Sequence, residues 1–197
     1  MVELIKRIVT NVLAALYHPF GVALVVSVLV MFLYMFIKEY GLKAAVKRWI
    51  IEFRTSVIFR RIFVLAFYTT MILFRTLLNR NIWANPLYNV IGVWGLTNAQ
   101  GELTTEVIEN LILFIPFTVV LLWSFRDRIV GPKVRLGITL WKSVAIVFVF
   151  SVIIEFLQLF LRLGTFQLSD LFYNTLGGFV GGLIYWCAYK IKHRKDG

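Results

Sequence analysis

The chain has 197 residues, 60% of them apolar and only 16% charged. A soluble domain carries roughly a quarter charged residues, so this composition excludes an ordinary water-soluble domain and points to lipid. The length suits one compact domain with no separate soluble partner, and 21 Lys and Arg against 10 Asp and Glu leave a net charge of +11.

Residues 4–16 set Leu4, Ile5, Ile8, Val9, Val12, Leu13 and Leu16 on one helical face, with Lys6, Arg7 and Asn11 opposite. At 1.5 Å per residue this covers about 20 Å, too little to cross a membrane. The amphipathic amino-terminal segment, residues 1–18, reads as an interfacial helix or as the opening of a kinked first span. No A-x-A-like cleavage site comes after it, which counts against a secretory signal.

Residues 20–37 are uncharged, come after His18-Pro19 and close at Lys38-Glu39; they form the first expected span. Residues 42–59 alternate basic and apolar groups, as a second surface helix would. The second span is 62–78, interrupted only by Arg75. The third, 107–125, carries Glu109, Asn110 and Pro116. The fourth, 140–161, contains Glu155 and Gln158, and the fifth, 171–189, is threaded by Gly177, Gly178, Gly181 and Gly182. Such runs approach the ~20 residues that cross ~30 Å of hydrocarbon, and they lack the period-two alternation of a membrane barrel. The expected fold is an all-α integral membrane protein, a bundle of about five transmembrane helices plus amphipathic interfacial helices.

Fifteen of the twenty-one basic residues lie between the first and second spans, between the third and fourth, or after the fifth, and a sixteenth, Lys142, stands in the first turn of the fourth. Five spans put all three regions on one side. The positive-inside rule makes that side cytoplasmic, together with the carboxyl terminus. The excess charge is therefore a signal of topology and of anionic lipid, and no groove-reading or aromatic pattern indicates a nucleic-acid partner.

This topology gathers the intramembrane polar residues into the outer half of the bundle: Arg75, Glu109, Asn110, Glu155, Gln158, Asp170 and Asn174. Ionisable groups cost roughly 2.5–3.5 kcal/mol each at the centre of a membrane helix and turn towards the interior or a wet cavity. Glu155 and Gln158, at i and i+3, share a helix face. Asn110, Glu155, Gln158, Asp170 and Asn174 are expected to line one cavity open at the outer side. Arg75 is the expected counter-charge for Glu155 or Asp170. Structural roles compete: the amides as interhelical hydrogen bonds and Asp170 as a helix cap.

The spacings Gly177/Gly181 and Gly178/Gly182 let helix backbones approach closely, and Pro116 interrupts the third helix. Cys187 is the lone cysteine and excludes an intrachain disulfide. His18 and His193 have no metal-site spacing, and no nucleophile elbow, zinc-protease motif or phosphate loop is present. Neither cofactor nor metal is expected.

The stretch from Glu109 to Val119, E-N-L-I-L-F-I-P-F-T-V, resembles the N-x-x-x-F-I-P-F/L-G signature of the VanZ-like family. Glu155, Gln158, Asp170, Asn174, Thr175, Gly177, Gly178 and Gly181 match that family's second pattern, E-x-x-Q then D-x-x-x-N-T-x-G-G-x-x-G. Asn85-Pro86 is similar to a less specific N-P element before the third span. Thr118 stands where the family usually has Gly, and Gln167 where it usually has Asp. The resemblance implies one VanZ-like transmembrane domain over residues 1–197, with core signatures in 107–189. It also implies a bacterial plasma-membrane protein, linked through the founding member to low-level resistance to the lipoglycopeptide teicoplanin.

The function admits three readings. In the first, Asn110, Glu155, Gln158, Asp170, Asn174, Arg75 and Glu109 bind the head of a lipid-linked peptidoglycan precursor or of lipid-tailed teicoplanin, without catalysis. In the second, the chain is an enzyme on a lipid-linked cell-wall intermediate. Glu155 is then its general acid or base, Asp170 the charge partner and Arg75 an anion clamp. In the third, the polar groups only lock a structural or scaffolding membrane protein together.

Overall fold

The computed structural model describes residues 2–17, 20–36, 41–78, 85–97 and 101–194. His18, Pro19, Ile37, Lys38, Glu39 and Lys195, on which several expected boundaries rest, lie outside the described residues. The described residues form seven α-helices: α1 (Val2–Tyr17), α2 (Phe20–Phe36), α3 (Leu42–Thr55), α4 (Val57–Leu73), α5 (Glu106–Ile129), α6 (Leu136–Leu161) and α7 (Leu168–Arg194). A π-helical turn, Phe74–Leu78, continues α4, and a single β-bridge joins Thr97 to Leu103. The protein is an all-α membrane bundle.

Three helical segments are long and apolar enough to cross a membrane: Val57–Leu77, Glu106–Ile129 and Leu136–Leu161. The two other expected spans differ for separate reasons. Helix α2 has 17 residues, about 25 Å, which is short of the hydrocarbon thickness. Helix α7 has 27, but its glycines and polar residues dilute its hydropathy. Asp170, Asn174, Gly177, Gly178, Gly181 and Gly182 are buried against protein. The bundle's outer faces carry the apolar side chains instead; Phe160 is 85% exposed, a large cost in water and none against lipid.

The sequence places the break between the basic surface helix and the second span near residue 60. The structure puts it at Ser56. There the backbone turns extended (φ −92°, ψ 115°) and the Ser56 hydroxyl accepts the Phe59 N–H at 3.2 Å, a regular N-cap. Helix α3 folds back onto α4 through Trp49, Phe53 and Phe63, with Trp49–Phe53 and Phe53–Phe63 centroids 5.2 and 5.6 Å apart. Met31, Met35 and Phe59 complete that small core.

Helix α7 is the centre of the fold. It runs parallel to α5 and antiparallel to α6, and it packs most extensively against those two. A methyl group on Gly177 would strike the Leu111 carbonyl, and one on Gly181 would sit 2.6 Å from the Ile115 carbonyl, both on α5. On the other side, Gly178 would meet Val147 Cβ at 2.7 Å and Gly182 would meet Ser143 Oγ at 2.6 Å, both on α6. The pattern G-G-x-x-G-G thus gives α7 two adjacent smooth faces, one per neighbour. Thr118, in the family's usual glycine position, fits because Gly181 faces it and its hydroxyl donates back to the Phe114 carbonyl at 2.9 Å. Ile72, Phe114, Phe117, Val147 and Ile154 fill the main core beside this seam.

Gly181→Ala should lower stability in detergent thermal melts by about 1–3 kcal/mol, since a main-chain carbonyl cannot swing aside. Gly182→Ala should cost less, because Ser143 has a rotatable hydroxyl. Gly137→Ala, on α6 with nothing within 4 Å, should be neutral or stabilise by up to about 1 kcal/mol.

Candidate functional site

The carboxyl end of α4, the amino ends of α5 and α7 and the carboxyl end of α6 meet at one end of the bundle, and the polar residues gather there. The π-helical turn at Phe74–Leu78 adds a residue to one turn and so rotates the end of the helix. It carries Arg75 to α5, where Nη2 meets Glu109 Oε2 at 2.8 Å. It also offers the Thr76 carbonyl to Gln158 Nε2 of α6, which donates to it at 2.8 Å. The other Glu109 oxygen accepts the Thr105 hydroxyl at 2.5 Å, and Asn11 of α1 donates to Thr105 Oγ1 at 2.7 Å. Helix α1 is tied to this end of the bundle by that bond and by Arg7 Nη1 on the Leu103 carbonyl at 3.5 Å.

A second set lies deeper, between α5, α6 and α7. Asn110 Nδ2 donates to Asp170 Oδ1 at 2.7 Å, and Asn174 Nδ2 donates to Ser151 Oγ at 2.8 Å. Glu155 Oε2 accepts the Gln167 main-chain N–H at 2.9 Å. Glu155 and Gln158 are each 2% exposed, Asn174 4% and Asp170 5%. Gln158 Oε1 and Asn174 Oδ1 have no protein donor. A buried acceptor left so costs about 1–3 kcal/mol, which leaves this cluster with capacity for incoming donors.

Residues 85–97 close over the cluster. The Pro86 carbonyl accepts the Phe166 N–H at 2.9 Å and the Val90 carbonyl accepts the Leu168 N–H at 2.8 Å. Ser169 Oγ accepts the Val93 N–H at 3.1 Å, and Tyr173 donates to the Trp94 carbonyl at 3.0 Å. Gly92, at φ +75°, is pressed so closely on Ser169 that no β-carbon fits. Asn85 holds the turn by accepting the Leu87 N–H at 3.2 Å, which gives the Asn85-Pro86 element a structural role.

Arg75, Glu109, Asn110, Glu155, Gln158, Asp170 and Asn174 lie at one end of the bundle, in two groups. Asn110, Glu155, Gln158, Asp170 and Asn174, expected to line one open cavity, do not line the opening at this end, a cavity of about 340 Å³ lined by Arg7, Asn11, Arg75, Thr105, Glu106 and Glu109. The ion pair of Arg75 is with Glu109, where the sequence had set it against Glu155 or Asp170. The π-turn is the reason, since it aims Arg75 at the neighbouring helix. Asp170 is not a cap; α7 begins at Leu168, and Asp170 sits in its first turn, where the positive helix end favours a carboxylate. Ser151, Thr105, Gly92 and the Thr76 carbonyl were missed. Only Ser151 carried a signal, one turn from Glu155 on the same face of α6.

Arg75→Gln should strand a part-buried Glu109 charge and cost about 1–3 kcal/mol in unfolding. Arg75→Gln with Glu109→Gln should recover most of that loss, which a double-mutant cycle reads directly.

Comparison with known proteins gives the chain a family. The chain is 29% identical over 116 residues to Protein VanZ of Enterococcus faecium, an overlap covering 55% of this chain and 66% of that protein. No solved structure matches it. Residues 21–189 match the VanZ/LLP1 family, a span that holds Arg75, Glu109, Asn110, Glu155, Asp170, the glycine seam and Pro116 but not Arg7 and Asn11 of α1: the chain belongs to the VanZ/LLP1 family.

Proposed function

We propose that this protein sits in the plasma membrane of a bacterium, where it contributes to resistance against the lipoglycopeptide teicoplanin. It does so by engaging a lipid-linked cell-wall precursor, or the lipid-tailed drug itself, at the polar end of the bundle. One observation carries the reading. Four polar side chains no more than 5% exposed, two of them with unfilled acceptors, converge under a loop beside a charged opening. Helix adhesion alone is served by satisfied pairs. Unfilled amide oxygens match a head rich in hydroxyl and amide donors, such as a sugar or peptide, and Arg7 and Arg75 at the opening match its phosphate or carboxylate.

The same reading places the polar end outside and the carboxyl terminus in the cytoplasm. Support comes from charge, because α3 and the helix ends around Arg60, Arg126, Arg135 and Lys190 all lie at the opposite end from Asp170.

Expression in a sensitive host should raise the inhibitory concentration of teicoplanin and leave that of vancomycin unchanged. Glu155→Gln and Asn110→Ala should return it to the empty-vector value at equal protein levels. A wild-type value equal to empty vector sinks the proposal. Orientation has its own check. With Cys187 replaced by Ser, a cysteine at Tyr88 should react with an impermeant maleimide on intact cells, and one at Lys43 or Lys47 should react only after lysis.

A further inference from the structure

The opposite end of the bundle contains a much larger cavity, and the polar cluster has no part in it. Its volume is about 1270 Å³, and α2, α3, α4, α5 and α7 all contribute to its walls. Drug-sized pockets run to about 300–1,000 Å³, so this space suits a longer molecule. Its lining divides by chemistry. Met31, Ile62, Ala66 and Val119 make an apolar interior, and the mouth is strongly basic.

The charges at the mouth do not cancel. Arg48 pairs with Glu52 at 3.4 Å, and Arg126 pairs with Asp127 at 2.6 Å. Arg61, Arg128 and Lys192 line the same cavity and have no carboxylate within ion-pair distance among the described residues. Arg61 is also held in place. Its Nη1 donates to the Trp123 carbonyl at 3.2 Å, its guanidinium lies 4.7 Å above the Trp123 ring, and Ser124 donates to its main-chain carbonyl at 3.2 Å. Its Nε is buried without an acceptor. A fixed guanidinium with a spare buried donor is costly until an anion meets it.

A cationic mouth above an apolar interior between membrane helices is the complement of an acidic lipid. We propose that this cavity is a binding site for an anionic glycerophospholipid of the adjoining leaflet. The phosphate rests on Arg61, Arg128 and Lys192, and an acyl chain lies between α2, α4 and α5. The uncompensated positive charge selects against zwitterionic lipids, whose own cation would face these three residues. This site stands independently of the function proposed above, at the other end of the molecule.

Native mass spectrometry of the purified protein, titrated with phosphatidylglycerol or phosphatidylcholine, tests the assignment. Wild type should retain phosphatidylglycerol in preference, with the preference weakened at high salt. Arg61→Gln should reduce retention of phosphatidylglycerol on the order of tenfold, as the loss of one charge-assisted contact implies, and leave phosphatidylcholine unchanged. Should Arg61→Gln not fold, because Arg61 also joins α4 to α5, the exposed pair Arg128→Gln with Lys192→Gln decides, its fold checked by thermal melting. Equal retention of the two lipids by wild type overturns the proposal. Undiminished phosphatidylglycerol binding by the folded double variant does so as well. Displacement of the lipid by millimolar glycerol phosphate would identify a soluble-phosphate site and overturn the lipid assignment.

Discussion

The approach of bare α7 backbone to α5 and α6 governs everything else in this protein. Four glycines replace four side chains, and the two contact faces they create fix how far α7 can slide along either neighbour. The register continues past the glycines. On α6, Ser143, Val147 and Ser151 succeed each other at intervals of one turn, facing Gly182, Gly178 and Asn174. Glu155 is the next step on that stripe. On α5, Leu111 and Ile115 meet Gly177 and Gly181, and Asn110, just before, reaches Asp170. The polar cluster is therefore the glycine seam extended towards the end of the bundle, where small residues give way to amides and acids. A shift of one turn at the seam would separate Asn110 from Asp170 and Asn174 from Ser151.

Helix direction supplies the electrostatics. Because α5 and α7 run parallel, both amino termini open at the cluster, and each brings free N–H groups and the positive end of its dipole. Glu106 and Glu109 stand in the first turn of α5, and Asp170 in the first turn of α7. This is how several carboxylates share one region with few cations. Glu155 depends on the same device in another form, for its oxygen rests on a main-chain N–H at the entry to α7. Gln167 can stand where the family usually has Asp, since the bond to Glu155 uses its backbone.

Much of this was legible in the residues. Glu155, Gln158, Asp170 and Asn174 could be brought to one end by counting turns, because helical rise is constant and charges in lipid demand company. The glycine spacing announced a close helix approach. The features that escaped the sequence depend on departures from regularity. Nothing in Phe74 to Leu78 marks a π-turn, yet that single extra residue decides that Arg75 meets Glu109. The break at Ser56 was hidden in a continuous amphipathic pattern, where one hydroxyl caps the start of α4. The segment 85–97 has no periodicity to read, and its closure over the cluster rests on tertiary hydrogen bonds to residues some eighty positions away.

That closure has a mechanical consequence. The loop is stitched to Phe166, Leu168 and Ser169, and Glu155 is anchored to Gln167, which lies among them. One short stretch of chain thus serves as the hinge plate for both. Lifting the loop strains the short stretch 166–169 in which the Gln167 N–H holds Glu155, so uncovering the buried acid and loosening its oxygen are coupled. Such a latch is a local unfolding event with its own free energy.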